Sequence, residues 1–359
     1  MNRILVIRTG AIGDLVLTLP VIGALRAAYP DAQIEVMGYP SRLSLIDGRY
    51  YADRISSIDQ QEIAPFFSEN SSLSDRLVSY FSGFDLIVSF CVDEDGVFAD
   101  NLRRTGAGQV LSLNPIPDPN CSAHIIEHLL EPIRALGVPV TETSPKIFLA
   151  SEDRKFAEAF WQEHRLEQAV AIHPGSGSRK KRWRPERFAT LSDWVMRDLE
   201  AAVILISGPA DEDAVMEVAN RITAGRPVIL ETPSLVHLAS IIERCGCFVG
   251  NDSGISHIAA AVGTPTVAIF GPSDAEVWGP RGDHTVILKG EIDCSPCTRE
   301  QMNACPHTSC LGLVEEREVR EKVKGLLTAC GRAAPERRTR EMGADHMPDG
   351  TPGIRRVFM

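Results

Sequence analysis

A chain of 359 residues has room for two domains at roughly 150 residues each. Hydrophobic residues at 44% and charged residues at 24% are ordinary globular proportions, which exclude a fibrous or wholly disordered chain. With 37 Lys plus Arg against 48 Asp plus Glu the net charge is −11, which argues against a general nucleic-acid binder, whose footprint is basic.

No window approaches the roughly 18 uninterrupted apolar residues of a membrane span. Arg8 and Asp14 break the apolar N-terminus, so it does not read as a secretory leader, and the cytoplasm is the expected compartment. Nine cysteines, an odd number, fit reduced thiols better than a disulfide framework.

The first element is the apolar run Ile4 to Ile7, the pattern of a strand buried on both faces. The loop Thr9-Gly10-Ala11-Ile12-Gly13 follows, then a helical pattern from Asp14 to Tyr29. Pro20 predicts either a kink or a regular helix beginning near Thr18. Ile34 to Met37 completes a β-α-β unit. Further strands are expected at Leu86 to Val88 and Val110 to Leu111, with a helix from Ile125 to Leu136 and a polar surface segment from Ser68 to Asp75. A strand over Lys146 to Leu149 precedes a charged helix, and the α/β rhythm then restarts. Its strands are Ala169 to Ile172, Val203 to Ile206, Val228 to Leu230, Cys247 to Val249 and Thr266 to Phe270. Two such series predict two doubly wound, Rossmann-like α/β domains facing a cleft, residues 1–150 and 151–330. Residues 331–359, rich in Arg and then in Gly, Pro and Asp, read as a disordered tail.

Three strand-end loops and one cysteine cluster carry chemistry. In Gly10-Ala11-Ile12-Gly13-Asp14, the glycines permit close approach of a ligand. Asp14 is either a helix cap or a carboxylate placed to take a proton from a hydroxyl. The loop holds only half of a dinucleotide fingerprint. After the strand at Ala169, the run Ser176 to Phe188 has six cations in the nine positions 179–187. That is a solvated basic turn or, as the small residues before it favour, a phosphate or diphosphate site. In Asn251-Asp252-Ser253-Gly254-Ile255-Ser256-His257, Asp252 or Ser253 is expected to cap the next helix at the binding edge of the sheet. Cys294, Cys297, Cys305 and Cys310, with His307 between, offer a structural zinc site, packed thiols or a disulfide pair.

Taken in order, the segments Gly10-Ala11-Ile12-Gly13-Asp14 to Pro20, His173-Pro174-Gly175 with Lys181-Arg182-Trp183, and Asn251 to His257 resemble glycosyltransferase family 9, the heptosyltransferases of lipopolysaccharide core assembly. The resemblance spans Met1 to Cys330. It implies a GT-B fold with an N-terminal acceptor-binding domain and a C-terminal nucleotide-sugar-binding domain. The implied reaction is an inverting transfer, with no metal or other cofactor, from an ADP-heptose or related ADP-sugar to a lipid-linked core oligosaccharide. Contact with the inner membrane would be peripheral. By position, Asp14 becomes the general base and Gly10 and Gly13 shape its loop. Lys181 would hold the diphosphate, with Lys180 the alternative register. Ser176, Asp252, Ser253, Gly254 and His257 would line the donor site, with Asp211 or Glu212 as an acidic donor contact. The competing readings are a nucleotide-sugar epimerase or hydrolase, a dinucleotide oxidoreductase, and a non-catalytic nucleotide-sugar sensor.

Overall fold

The computed structural model describes residues 1–118, 121–231, 234–331 and 355–358. The chain divides into two compact units. The first comprises Met1–Ser151 with two short segments, Ser234–Val236 and Glu276–Gly282; the second comprises Glu152–Pro233, His237–Ala275 and Asp283–Met359.

The first unit holds five parallel strands: β1 (Arg3–Arg8), β2 (Gln33–Gly38), β3 (Arg54–Ser57), β4 (Leu86–Phe90) and β5 (Gln109–Ser112). Their spatial order is β3-β2-β1-β4-β5. Ile4 to Ile7 are inaccessible to solvent, as expected of a central strand covered on both faces. Leu5, Ile7, Phe66, Phe81, Ile87 and Phe98 form the core on one face of this sheet. The chain runs from β1 outward to β3, then returns to place β4 on the other side of β1. The loop after β1 therefore sits at the reversal point, where ligands of open α/β sheets bind.

The second unit repeats the plan: β6 (Ala169–His173), β7 (Ala202–Ser207), β8 (Val228–Glu231), β9 (Cys247–Asn251), β10 (Thr266–Phe270), β11 (Thr285–Lys289) and β12 (Arg355–Phe358). The order is β11-β10-β9-β6-β7-β8-β12, again parallel throughout. Here the reversal lies between β6 and β9, with His173 in register with Gly250. The loops after β6 and β9 are thus brought side by side. Both sheets have the doubly wound pattern of GT-B proteins.

Several expectations need correction. The first helix runs over Ile12–Ala28 with Pro20 inside it, so its regular part does not begin at Thr18. Leu15 to Ile22 are all buried, so packing holds the helix together across the missing N–H. Lys146 to Leu149 joins neither sheet among the described residues. Its alternation is real, with Ile147 and Leu149 buried and Phe148 exposed, the Phe148 ring lying against Tyr50 and Tyr51. Ile125 to Leu136 is two short helices, Ile125–Leu129 and Glu131–Ala135. Within the segment expected as a tail, Arg355–Phe358 is a strand that extends the second sheet beside β8; residues 332–354 and 359 lie outside the described residues. Among the described residues no helix is long and apolar enough to cross a membrane.

Candidate functional site

In the first unit the candidate carboxylate, Asp14, stands just beyond the end of β1. Arg8, the last residue of the strand, is buried, and its guanidinium meets Asp14 (Nη2 to Oδ1 3.2 Å). The same guanidinium donates to Thr18 Oγ1 at 3.1 Å and to the Phe90 carbonyl at 3.4 Å, tying strand, helix and neighbouring strand together. Burial presses the Arg8 pKa below the ordinary arginine value, against the opposing charge of Asp14. Asp14 stands in the first turn of the helix and accepts the Ala11 N–H on Oδ2 at 2.6 Å. Its side chain remains 31% exposed, so this capping contact leaves the carboxylate open to a ligand. Gly10 has φ +151°, and a Cβ there would lie 2.6 Å from Asp14 Oδ2, so this loop requires glycine to keep the carboxylate where it is. Gly13 lies within the first helical turn. Arg42, which stacks on Tyr39, bonds the Gly10 carbonyl and fixes the loop from the other side. Neither Arg8 nor Arg42 is prominent in the sequence. An arginine closing an apolar strand was the one available signal, and it reads equally well as the end of a buried run.

The second unit assembles a larger site from the loops after β6, β7 and β9. Its keystone is Asn251, the fully buried last residue of β9. The amide donates to the carbonyls of Pro174 (2.9 Å) and Gly175 (3.2 Å) and accepts the Trp183 N–H (2.8 Å). Trp183 is itself core, packed edge-on against Phe188 with its indole N–H on the Val314 carbonyl at 3.0 Å. The basic loop is therefore anchored by an apolar side chain two residues beyond Lys181. Lys181 Nζ reaches Asp252 Oδ2 at 2.7 Å, while Ser176 Oγ donates to the Asp252 carbonyl at 2.7 Å. Lys180 points elsewhere, its ammonium on the Cys305 carbonyl. Of the two lysines, Lys181 is the one joined to the β9 loop. Replacing Asn251 by Ala would strand three buried backbone groups, and stability is expected to fall by on the order of 3 kcal/mol, read from a denaturant midpoint.

Ser253 begins the helix Gly254–Ala261, yet its hydroxyl makes no capping bond. This departs from the expected cap: Ser253 Oγ lies 3.2 Å from His173 Nδ1 and 3.4 Å from Ser256 Oγ instead. His173 Nε2 meets Asp211 Oδ2 at 3.1 Å, and Asp211 Oδ1 is 3.4 Å from Arg182 Nη2. Burial would raise the Asp211 pKa, but the His173 hydrogen bond and the charges of His173 and Arg182 hold it below the usual carboxylate value. A Cβ on Gly175 would fall 2.2 Å from Asp211 Cγ, so glycine is what admits the carboxylate to His173. Of the two acids left open by sequence, Asp211 is the one that joins this cluster; Glu212 opens the helix Glu212–Ala219. His257 is buried one turn into the helix after Ser253. In the sequence His173 is visible only as part of a loop motif, because its partners lie 38 and 80 residues away.

Cys294, Cys297, Cys305 and Cys310 do converge, lining one small pocket with His307, Met302 and Lys180. All four are free thiols. Among the described residues no three His, Cys, Asp or Glu side chains are set to hold one metal ion. Burial and the neighbouring thiols push the Cys297 and Cys310 pKa values upward, which disfavours the nucleophilic thiolate.

The glycosyltransferase family 9 (heptosyltransferase) model matches residues 102–307 of this chain. Lipopolysaccharide heptosyltransferase 3 of Escherichia coli K12 is 25% identical over 296 residues, which cover 75% of this chain and 82% of that protein. A family 9 glycosyl transferase of Veillonella parvula superposes with a TM-score of 0.75 at 23% identity, covering 91% of this chain and 98% of the other. The E. coli ADP-heptose lipopolysaccharide heptosyltransferase II superposes with a TM-score of 0.72 at 18% identity over 92% and 100% of the two chains. The structural likenesses establish the fold, and the family match extends over more than half of the sequence. The chain thus belongs to glycosyltransferase family 9 and is a glycosyltransferase.

Proposed function

We propose that this glycosyltransferase moves a heptose, or a closely related sugar, from an ADP-sugar to a lipopolysaccharide core acceptor with inversion at the anomeric carbon. The observation that carries the reading is the Lys181–Asp252 pair beside Ser253, at the head of a helix and at the reversal point of the second sheet. An ammonium, a hydroxyl and a helix N-terminus together form a receptor for a diphosphate. The names of the relatives support heptose as the sugar and lipopolysaccharide core as the acceptor.

The chemistry follows from charge and proton balance. The acceptor hydroxyl attacks the anomeric carbon as the bond to the diphosphate breaks, and the electron pair leaves on the phosphate oxygen. Negative charge then grows on the leaving group, where Lys181 and the helix N-terminus stabilise it without reorganising. The acceptor proton passes to Asp14. In-line displacement requires base and diphosphate on opposite sides of the anomeric carbon. Asp252 keeps the ammonium placed, and the three protons of Lys181 let it hold phosphate and Asp252 together.

Binding of a nucleotide-sugar panel, followed by product analysis with core-lipid acceptors, tests the assignment. Preference for another nucleotide, or donor turnover that never requires an acceptor, would overturn it. Because the cations neutralise the leaving group, transfer is expected to persist in excess EDTA. Magnesium rescue of chelated but still folded enzyme would instead put a metal in the mechanism. A lipid-linked acceptor also implies peripheral contact with the inner membrane from the cytoplasmic side, and salt should release any membrane-bound fraction.

A further inference from the structure

The chain of side chains Asp211–His173–Ser253 has no part in the mechanism above, yet it ends at the hydroxyl assigned to the diphosphate. His173 is 2% exposed, so its ring can bond only to these neighbours. Asp211 accepts at Nε2, which puts the hydrogen of a neutral imidazole on that nitrogen and leaves Nδ1 a bare acceptor. Ser253 then turns its hydrogen toward Nδ1 and offers only lone pairs to a ligand. A second proton on the ring reverses this. Nδ1–H donates to Ser253 Oγ, and the hydroxyl hydrogen is released toward the ligand. Ser253 Oγ also meets Ser256 Oγ, whose own hydrogen bonds the Asn251 carbonyl.

We infer that His173 is a positioning residue that couples donor binding to uptake of one proton: a bound diphosphate selects the imidazolium, because only then can Ser253 donate to phosphate oxygen while the buried Nδ1 keeps a hydrogen-bond partner. This rests on the diphosphate reading of the site. The surrounding charges act in the same direction or are already paired. Asp211 is the anion facing the ring; Arg182 sits beyond it, shared with Asp213, which also meets Arg179. Lys181 and Asp252 neutralise each other on the β9 loop, and His257 lies a turn further along the helix. Reciprocity requires that a ligand favouring the protonated state binds more weakly as pH rises.

The test is calorimetric titration of the full-length protein with ADP in buffers of different ionisation enthalpy, at mildly alkaline pH where free ADP carries no phosphate proton. For the wild type, the observed enthalpy should vary with the buffer, with a slope corresponding to proton uptake. His173→Asn should remove the slope. Ser253→Ala keeps the buried ring, so it guards against a folding defect; it should weaken ADP by about tenfold and shrink the slope. Binding by the wild type with a buffer-independent enthalpy, or an unchanged slope in Ser253→Ala, overturns the coupling while leaving the diphosphate site standing. Failure of the wild type to bind ADP at all overturns the diphosphate reading and the coupling with it.

Discussion

Asp14→Asn is expected to lower turnover by about 10²–10⁴-fold while leaving ADP affinity within about twofold of the wild type. The substitution preserves nearly everything except the ability to take a proton. An Asn side-chain oxygen can still accept the Ala11 N–H, and Arg8 keeps its bonds to Thr18 and the Phe90 carbonyl, so the loop and the first helical turn should survive. The groups proposed to bind the donor belong to the other unit and are untouched. Steady-state rates with saturating donor and acceptor give the first quantity, and calorimetry with ADP the second. Wild-type turnover in the variant would remove Asp14 from the reaction. A matching loss of ADP affinity would show that its role is not confined to proton transfer.

Lys181→Ala should cost about 10²–10³-fold in kcat and also weaken the donor, because the proposed contact with phosphate would strengthen as charge develops on the leaving group. Lys180→Ala is the informative companion. That ammonium bonds the Cys305 carbonyl, so its loss should alter the cysteine pocket and leave turnover within a few-fold of the wild type. If the Lys180 variant alone is crippled, the catalytic register shifts by one residue. Melting temperatures should accompany both, since Lys181 also pairs with Asp252 in the ligand-free protein.

What could be read from sequence follows a physical division. Ile4 to Ile7 and Ala169 to Ile172 are visible because a central parallel strand must be apolar on both faces. β3 (Arg-Ile-Ser-Ser) escaped notice because it is a half-buried edge with no such run, and β11 because only Leu288 is fully buried. The loops that carry Asp14, Lys181 and Asp252 were legible through glycine, charge and position after a strand. Their supports were not. Arg8, Arg42, His173 and Asn251 act through partners remote in sequence or through backbone carbonyls, and neither leaves a local pattern. Likewise the hydroxyl of Ser253 looked like a cap until its bond to His173 was seen.

The double tether at Asn251 bears on how much the length of the basic segment can vary. One amide holds Pro174 and Gly175 at the start of the loop and Trp183 at its end, so the chain between them is a closed span pinned at both feet. Added or deleted residues must be absorbed between the pins. The most permissive place is around Arg179, whose side chain is 82% exposed. Lys181, two residues from the Trp183 anchor, would be displaced least by changes made upstream of it. Inserted basic residues would bulge into water while the lysine kept its register, which is how a run of cations longer than the chemistry needs can coexist with a single defined phosphate contact. A one-residue insertion after Arg179 should therefore be tolerated, and the same insertion after Lys181 should not.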